Sequence, residues 1–335
     1  MADSLCSVFS WCAYKRANLK AAMNSHQPDV SVVTPLGPAI QRAKEILFNP
    51  FDLSKWLAIG FCAWLAFLGR GGGGGGFNAH LPPRGRDFRE IFDEAREYVL
   101  ANLSWIVPLV VGLVLVGVVL WLVFTWLSSR GQFMFLHCVA ANKAEVSVPW
   151  TKYSDHGNSL FLFRIVLGLV SIAAVAPFLL ASGFVIVGMV SRRGLLIAPI
   201  MGLIALVLGL IVVAIFFALV CKFTFDFVVP VMSLRTSSCL AGWREVLSLV
   251  LANGLSFALY VLFQVVLKMA IGVGVFAVIL LTCCCAGCFL VIPYVGTVLL
   301  LPVLVFERSY SLYYLRQFGA RFDVFAAPPE AIRLA

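Results

Sequence analysis

Residues 222–235 read Lys-Phe-Thr-Phe-Asp-Phe-Val-Val-Pro-Val-Met-Ser-Leu-Arg, and residues 236–253 read Thr-Ser-Ser-Cys-Leu-Ala-Gly-Trp-Arg-Glu-Val-Leu-Ser-Leu-Val-Leu-Ala-Asn. A long apolar run picks up Lys222 and Asp226, meets Pro230 and gives way to an amphipathic segment. In that segment Leu240, Trp243, Val246, Leu247, Val250 and Leu251 share one helical face, and Arg244, Glu245 and Ser248 do not. A second long apolar run follows at once. Such a stretch is expected where a chain leaves a bilayer, lies along its surface and re-enters.

Working outward, the same alternation recurs. Apolar runs long enough to cross hydrocarbon are expected at 51–69, 103–127, 160–190, 195–221, 255–281 and 289–306, six in all. The run at 51–69 is barely long enough to cross, so a re-entrant segment is a second reading for it. The apolar stretch from 255 to 306 is too long for one crossing, which places a turn near residues 283–288. Leu36, Ala39, Ile40, Ala43, Ile46 and Leu47 form a helical stripe expected at the interface, and Phe88, Ile91, Phe92, Ala95 and Val99 form another. The fold class is therefore all-α: a polytopic helical membrane protein with amphipathic interface helices. Its domains read as a flexible N-terminal segment (1–34), a helical membrane domain (35–319) and a flexible C-terminal tail (320–335).

Composition agrees. The chain has 335 residues, of which 61% are hydrophobic and 12% charged, and its mean hydropathy is +0.98. Soluble domains carry about 25% charged residues, so this chain has too little polar surface to cover a soluble globule of its size. The net charge of +9 reads as cationic loops facing an anionic leaflet, not as a nucleic-acid surface. Lys and Arg concentrate on the side that would hold both termini, which assigns the termini to the cytoplasm. The apolar patch near residues 5–13 is short and precedes Lys15 and Arg16, so a signal peptide is not expected, and Met23 stands beside Met1 as a start.

Trp56, Trp150 and Trp243 are nearly evenly spaced, each near the entrance of a candidate hairpin. A threefold helical-hairpin repeat would produce that spacing, and so would the preference of Trp for interfaces. Gly71 to Gly76 lack the Gly-Lys-Ser/Thr ending of a phosphate loop and read as a linker.

Lys268 stands well inside the fifth run, with Gln264 one turn earlier on the same face. An ionised group there must face protein or water. Asp226 is its expected partner, with Lys222 one turn from Asp226. The group Asp226, Gln264 and Lys268 reads first as a polar staple between helices and second as an ion relay. Cys283, Cys284, Cys285 and Cys288 lack a second ligand pair for zinc and read as small residues at a turn. His26, His80, His137 and His156 are dispersed, and Tyr153-Ser154-Asp155-His156 reads as a polar loop. No catalytic, cofactor or metal residues are singled out. Membrane lipid is the expected partner, beside an unspecified protein.

Residues 50–61 (Pro-Phe-Asp-Leu-Ser-Lys-Trp-Leu-Ala-Ile-Gly-Phe) and 292–310 (Ile-Pro-Tyr-Val-Gly-Thr-Val-Leu-Leu-Leu-Pro-Val-Leu-Val-Phe-Glu-Arg-Ser-Tyr) resemble uncharacterised multi-span bacterial membrane proteins. The alternation of interface helices and spans is distantly similar to the membrane domain of glycerophosphodiester phosphodiesterases. The first resemblance implies a bacterial inner membrane. Neither implies a site residue, and there is no room beside the spans for a phosphodiesterase domain. These features lead to the expectation of a non-catalytic membrane scaffold or accessory subunit, with a small-solute or lipid transporter as the other reading.

Overall fold

A computed structural model describes residues 30–68, 97–98, 100–191, 197–235, 238–282, 287, 289–290 and 292–326. The described residues are helical, without strands. In chain order the helices are α1 (Leu36–Leu47), α2 (Leu53–Phe67), α3 (Leu103–Ala141), α4 (Ser147–Lys152), α5 (Ser154–Ser191) and α6 (Ile197–Phe223). A π-helical turn (Thr224–Val228) joins α6 to α7 (Val229–Arg235), followed by α8 (Cys239–Ala252), α9 (Gly254–Leu281), α10 (Pro293–Leu299) and α11 (Leu301–Arg316).

Four helical stretches are long and apolar enough to cross a membrane: Leu103–Ala141, Ser154–Gly188, Pro199–Arg235 and Gly254–Leu281. The chain is thus a membrane protein by length and composition of its helices. α3 and the stretch Pro199–Arg235 each have two parts of different character. In α3, residues 103–124 expose Leu109, Val111, Leu113, Leu115 and their neighbours, whereas from Thr125 to Val139 almost every side chain is buried. The exposed part spans about 33 Å at 1.5 Å per residue, close to a hydrocarbon thickness. The expected end of this span at 127 therefore marks a change of surroundings, and the helix itself runs on to Ala141. In the same way α5 begins at Ser154, before the expected 160, and the helix entered near 197 continues through Lys222 and Asp226 to Arg235.

The buried halves assemble one core with α1, α2, α8 and α11. Residues 224–232, expected to surface from the bilayer, lie inside this core: Phe225, Phe227, Val228, Val229, Val231 and Met232 are all buried. α2 packs antiparallel on the inner half of α3, with Lys55 Nζ donating to Asn142 Oδ1 (2.9 Å) at one end and Ser128 Oγ donating to the Ala66 carbonyl (2.9 Å) at the other. Gln132 donates to the same carbonyl. These side chains satisfy an acceptor that the end of α2 would otherwise leave without a partner. α2 has 15 residues, about 22 Å, and stops where the exposed half of α3 begins.

Two other expectations change at the C-terminal end. The run at 289–306 is not one straight helix, because α10 and α11 meet at 64°. Leu300 stands at that break, and Pro302 starts the new helix, where its missing amide costs little. The aromatic and basic stretch after Phe306, beyond the expected last span, is core: Arg308, Tyr310, Leu312, Tyr314 and Leu315 are buried. Near both ends of the described residues the chain is held to the core. Ser31 and Gln317 exchange two hydrogen bonds of 2.9 and 3.0 Å, and the Tyr310 hydroxyl donates to the Val32 carbonyl (2.7 Å). Beyond 320, Phe322 is buried, Arg316 pairs with Asp323 (3.0 Å) and Phe325 stacks on Tyr313.

The amphipathic helices also pack as protein. α1 buries Ala39, Ala43, Ile46 and Leu47 against α11, and Arg42 donates to the Val139 (3.2 Å) and Ala140 (2.8 Å) carbonyls at the C-terminal end of α3. A cation there complements the negative end of the helix dipole. α8 buries Cys239, Gly242, Val246 and Leu249, while Leu240, Leu247 and Leu251 of the expected stripe stay exposed. Its apolar surface is thus divided between the core and a second face. Burial pushes the Cys239 thiol up to about 12, so it is a neutral core group at ordinary pH. The Ser238 side chain accepts from the Ala241 amide at the start of α8. Ser238→Ala is expected to cost about 1 kcal/mol, read as a lower unfolding midpoint in detergent. An unchanged midpoint would show that this cap contributes nothing.

The Gly71–Gly76 run, the stripe residues Phe88, Ile91, Phe92, Ala95 and Val99, the Arg192–Arg193 turn and Cys283, Cys284, Cys285 and Cys288 lie outside the described residues.

Candidate functional site

Where α6 passes into the core, its helical register widens. The Val229 amide donates to the Thr224 carbonyl, five residues back. In that register the Phe225 carbonyl would face the amide of residue 230, which is proline and has no N–H. The guanidinium of Arg308, from α11, donates to the Phe225 carbonyl through Nη1. A π-turn next to a proline thus turns a backbone acceptor sideways, and a buried arginine meets it. Such turns recur at functional sites.

The widened turn also aims Asp226. Its Oδ2 accepts from Lys222 Nζ (2.8 Å) and from the Tyr260 hydroxyl (3.0 Å) on α9. Gln264 Nε2 donates to the same hydroxyl (3.3 Å), and the Lys222 ammonium lies 5.3 Å from the Tyr260 ring centroid. Tyr260 is wholly buried and Gln264 nearly so. A chain Lys222–Asp226–Tyr260–Gln264 therefore joins α6 to α9. Trp243 of α8 donates to the Thr224 hydroxyl (3.2 Å), which clamps the turn from the other side.

Of these groups Lys222, Asp226 and Gln264 line a cavity of about 80 Å3, together with Gln132, Lys268, Glu307 and Arg308. Asp226, Gln264 and Lys268, singled out from the sequence, are thus brought to one place. The ion pair of Asp226 is with Lys222, its own-helix neighbour one turn away, rather than with Lys268. The physical reason is geometric: residues i and i+4 face each other, whereas Lys268 is two turns beyond Tyr260 and stands exposed at the rim. Sequence reading misses Tyr260, Glu307 and Arg308. The adjacent pair Glu307-Arg308, the first charges after Lys268, reads in the sequence as the end of the span at 289–306.

A second polar group sits near the α3–α5 junction. Arg164 donates to the Thr125 carbonyl (3.3 Å) and the Ser129 hydroxyl (3.1 Å), and lies 5.3 Å from the Phe225 ring centroid. Arg130 stands over Trp126 at 4.4 Å and Trp150 at 5.1 Å. His156 and His137 flank Tyr153 in an aromatic group, and His137 Nε2 lies 3.9 Å from Glu145 Oε2. Among the described residues no set of three or more His, Cys, Asp or Glu is placed to hold a metal ion.

Residues 30–301 match a family of unknown function, DUF7544. No curated protein and no solved structure matches the chain. The distant similarity to the membrane domain of glycerophosphodiester phosphodiesterases gains no support from these comparisons.

Proposed function

The chain belongs to the family of unknown function DUF7544, and from that premise we propose a multi-pass membrane protein that acts without catalysis, as a scaffold or accessory subunit in the lipid bilayer. One observation carries this reading: apolar halves of the long helices leave a single packed core with almost no buried residues of their own. The outer parts of α3, α5 and α6 run together beyond the core. Trp121 meets Gly168 just above the level where Arg164 reaches Thr125, and Phe178 meets Gly209 further out. In water so much exposed Leu, Val, Ile and Phe would drive aggregation. In lipid it needs no cover.

In this reading α3, α5, α6 and α9 each cross once. The six-span count expected from the sequence would take its other two from the runs at 51–69, which also reads as re-entrant, and 289–306. The excess of Lys and Arg places the core and both termini in the cytoplasm, at a bacterial inner membrane in this reading. Leu240, Leu247 and Leu251 of α8 would then rest on lipid. The threefold hairpin repeat remains part of the proposal, with Trp56, Trp150 and Trp243 each anchoring a short helix at the core. The scaffold role is supported by the use of polar groups as helix ties: Lys222–Asp226–Tyr260, Arg164–Ser129 and Ser128–Ala66. The charged cavity with Lys268 at its rim favours a second reading, transport of a small solute or lipid.

Fractionation tests the main reading. The expressed protein is expected in the membrane pellet, retained through an alkaline carbonate wash and released by detergent alone. A monodisperse species in the detergent-free supernatant would end it.

A further inference from the structure

Arg308 is 7% exposed, and only its Nη1 is engaged, by the Phe225 carbonyl. Its Nε and Nη2 are buried without a hydrogen-bond partner. These two nitrogens form one edge of the guanidinium, a planar fork suited to two oxygens of one anion. The cavity that Arg308 lines also carries the Lys222, Lys268, Asp226 and Glu307 side chains. Lys222 and Asp226 neutralise each other at 2.8 Å. That leaves two cations, Arg308 and Lys268, against one carboxylate, Glu307. The volume of about 80 Å3 is several times what a single water requires. The cavity lies where the exposed apolar half of α9 begins, with Val265, Val266 and Met269 beside Lys268.

We propose that this cavity binds a phosphate-class oxyanion, held by the Nε–Nη2 edge of Arg308 and by the Lys268 ammonium at the rim. Glu307 faces the same space and sets the selectivity: it opposes a multiply charged anion and tolerates a singly charged one such as a phosphodiester. The source is either a phospholipid headgroup reaching in from the membrane surface or free phosphate. The lipid source rests on the membrane placement proposed above.

The test uses the full chain, delipidated in detergent. One arm titrates inorganic phosphate against chloride at equal ionic strength and reads the unfolding midpoint. The other adds phosphatidylglycerol or phosphatidylcholine in mixed micelles and counts retained lipid by native mass spectrometry. Saturable binding is expected in at least one arm, about tenfold weaker in Lys268→Gln and in Arg308→Lys, which keeps the charge but loses the fork. Binding in the lipid arm alone identifies a headgroup, and binding in the phosphate arm identifies the free anion. No saturable binding in either arm, or equal binding by wild type and Lys268→Gln, overturns the proposal and leaves water as the partner of the fork. Should Arg308→Lys not fold, Lys268→Gln decides alone. Fractionation reports on membrane placement separately, and the phosphate arm stays readable if that placement fails.

Discussion

Asp226→Ala is expected to lower the unfolding free energy by about 2–4 kcal/mol. Two losses combine. Lys222, three-quarters buried beside the π-turn, loses its counter-ion at 2.8 Å, which for a fully buried pair costs about 3–5 kcal/mol and less for one partly open to solvent. The Tyr260 hydroxyl, wholly buried, loses the acceptor at 3.0 Å, a further cost of about 1–3 kcal/mol. Asp226→Asn keeps an acceptor for Tyr260 and is expected to fall roughly midway. Lys222→Met in the Asp226→Ala background removes the stranded charge and should recover part of the loss. Unfolding of the four proteins in one detergent provides the measurement. If Asp226→Ala melts with wild type, the polar chain does not hold α6 to α9.

Gly131→Ala is expected to be at least as damaging, about 3 kcal/mol or more. A Cβ at Gly131 would lie 2.5 Å from the Ala66 amide nitrogen and 2.6 Å from the Leu65 carbonyl carbon. Both are backbone atoms in a helix, so the clash is relieved only by moving α2 away from α3. That movement stretches the Ser128 and Gln132 bonds to Ala66, adding the cost of an unmet buried acceptor to about 1–3 kcal/mol of overpacking. Small residues at such crossings allow the close approach that packs membrane helices. Gly117 is the control: it lies in the outer half of the same helix, and a methyl group added there would meet nothing within 4 Å. Gly117→Ala should be neutral or stabilising by up to about 1 kcal/mol, the ordinary preference of a helix for Ala. Equal effects at the two glycines would show that the α2–α3 contact is not close.

The parts of this fold that are legible in the sequence are those governed by solvent. A helix that meets lipid on most sides must be apolar on most sides, so residues 103–124 announce themselves without any knowledge of neighbours. The first charged and polar residues after such a run suggest helix ends. They mark instead the level at which helices enter the core. Arg130 follows the exposed half of α3, Lys222 that of α6, and Glu307-Arg308 the last apolar run, and in each case the helix continues. A packed core tolerates charges that have partners, and partners are supplied by other helices that a linear reading cannot place. The same limit explains the fate of the Leu240–Leu251 stripe: its apolar character is visible in the sequence, but not its division between a core face with Val246 and an exposed face with Leu251.

The polar group shows both sides. Asp226, Gln264 and Lys268 stand out because ionisable and amide groups are costly in an apolar setting and must be accounted for. Which of them pair is a matter of angles. Asp226 turns toward Lys222 and Tyr260 because the π-turn beside Pro230 rotates it there, and Arg308 is drawn in by the Phe225 carbonyl in that same turn. The amino-acid order by itself determined that this protein has helices long and apolar enough to cross a membrane, since hydrophobicity is a property each residue carries alone. Only the tertiary structure decided where the exposed apolar stretches give way to a packed core, and which charges share a cavity, since hydrogen bonds and ion pairs act over a few ångströms between groups as far apart in sequence as Ser31 and Gln317.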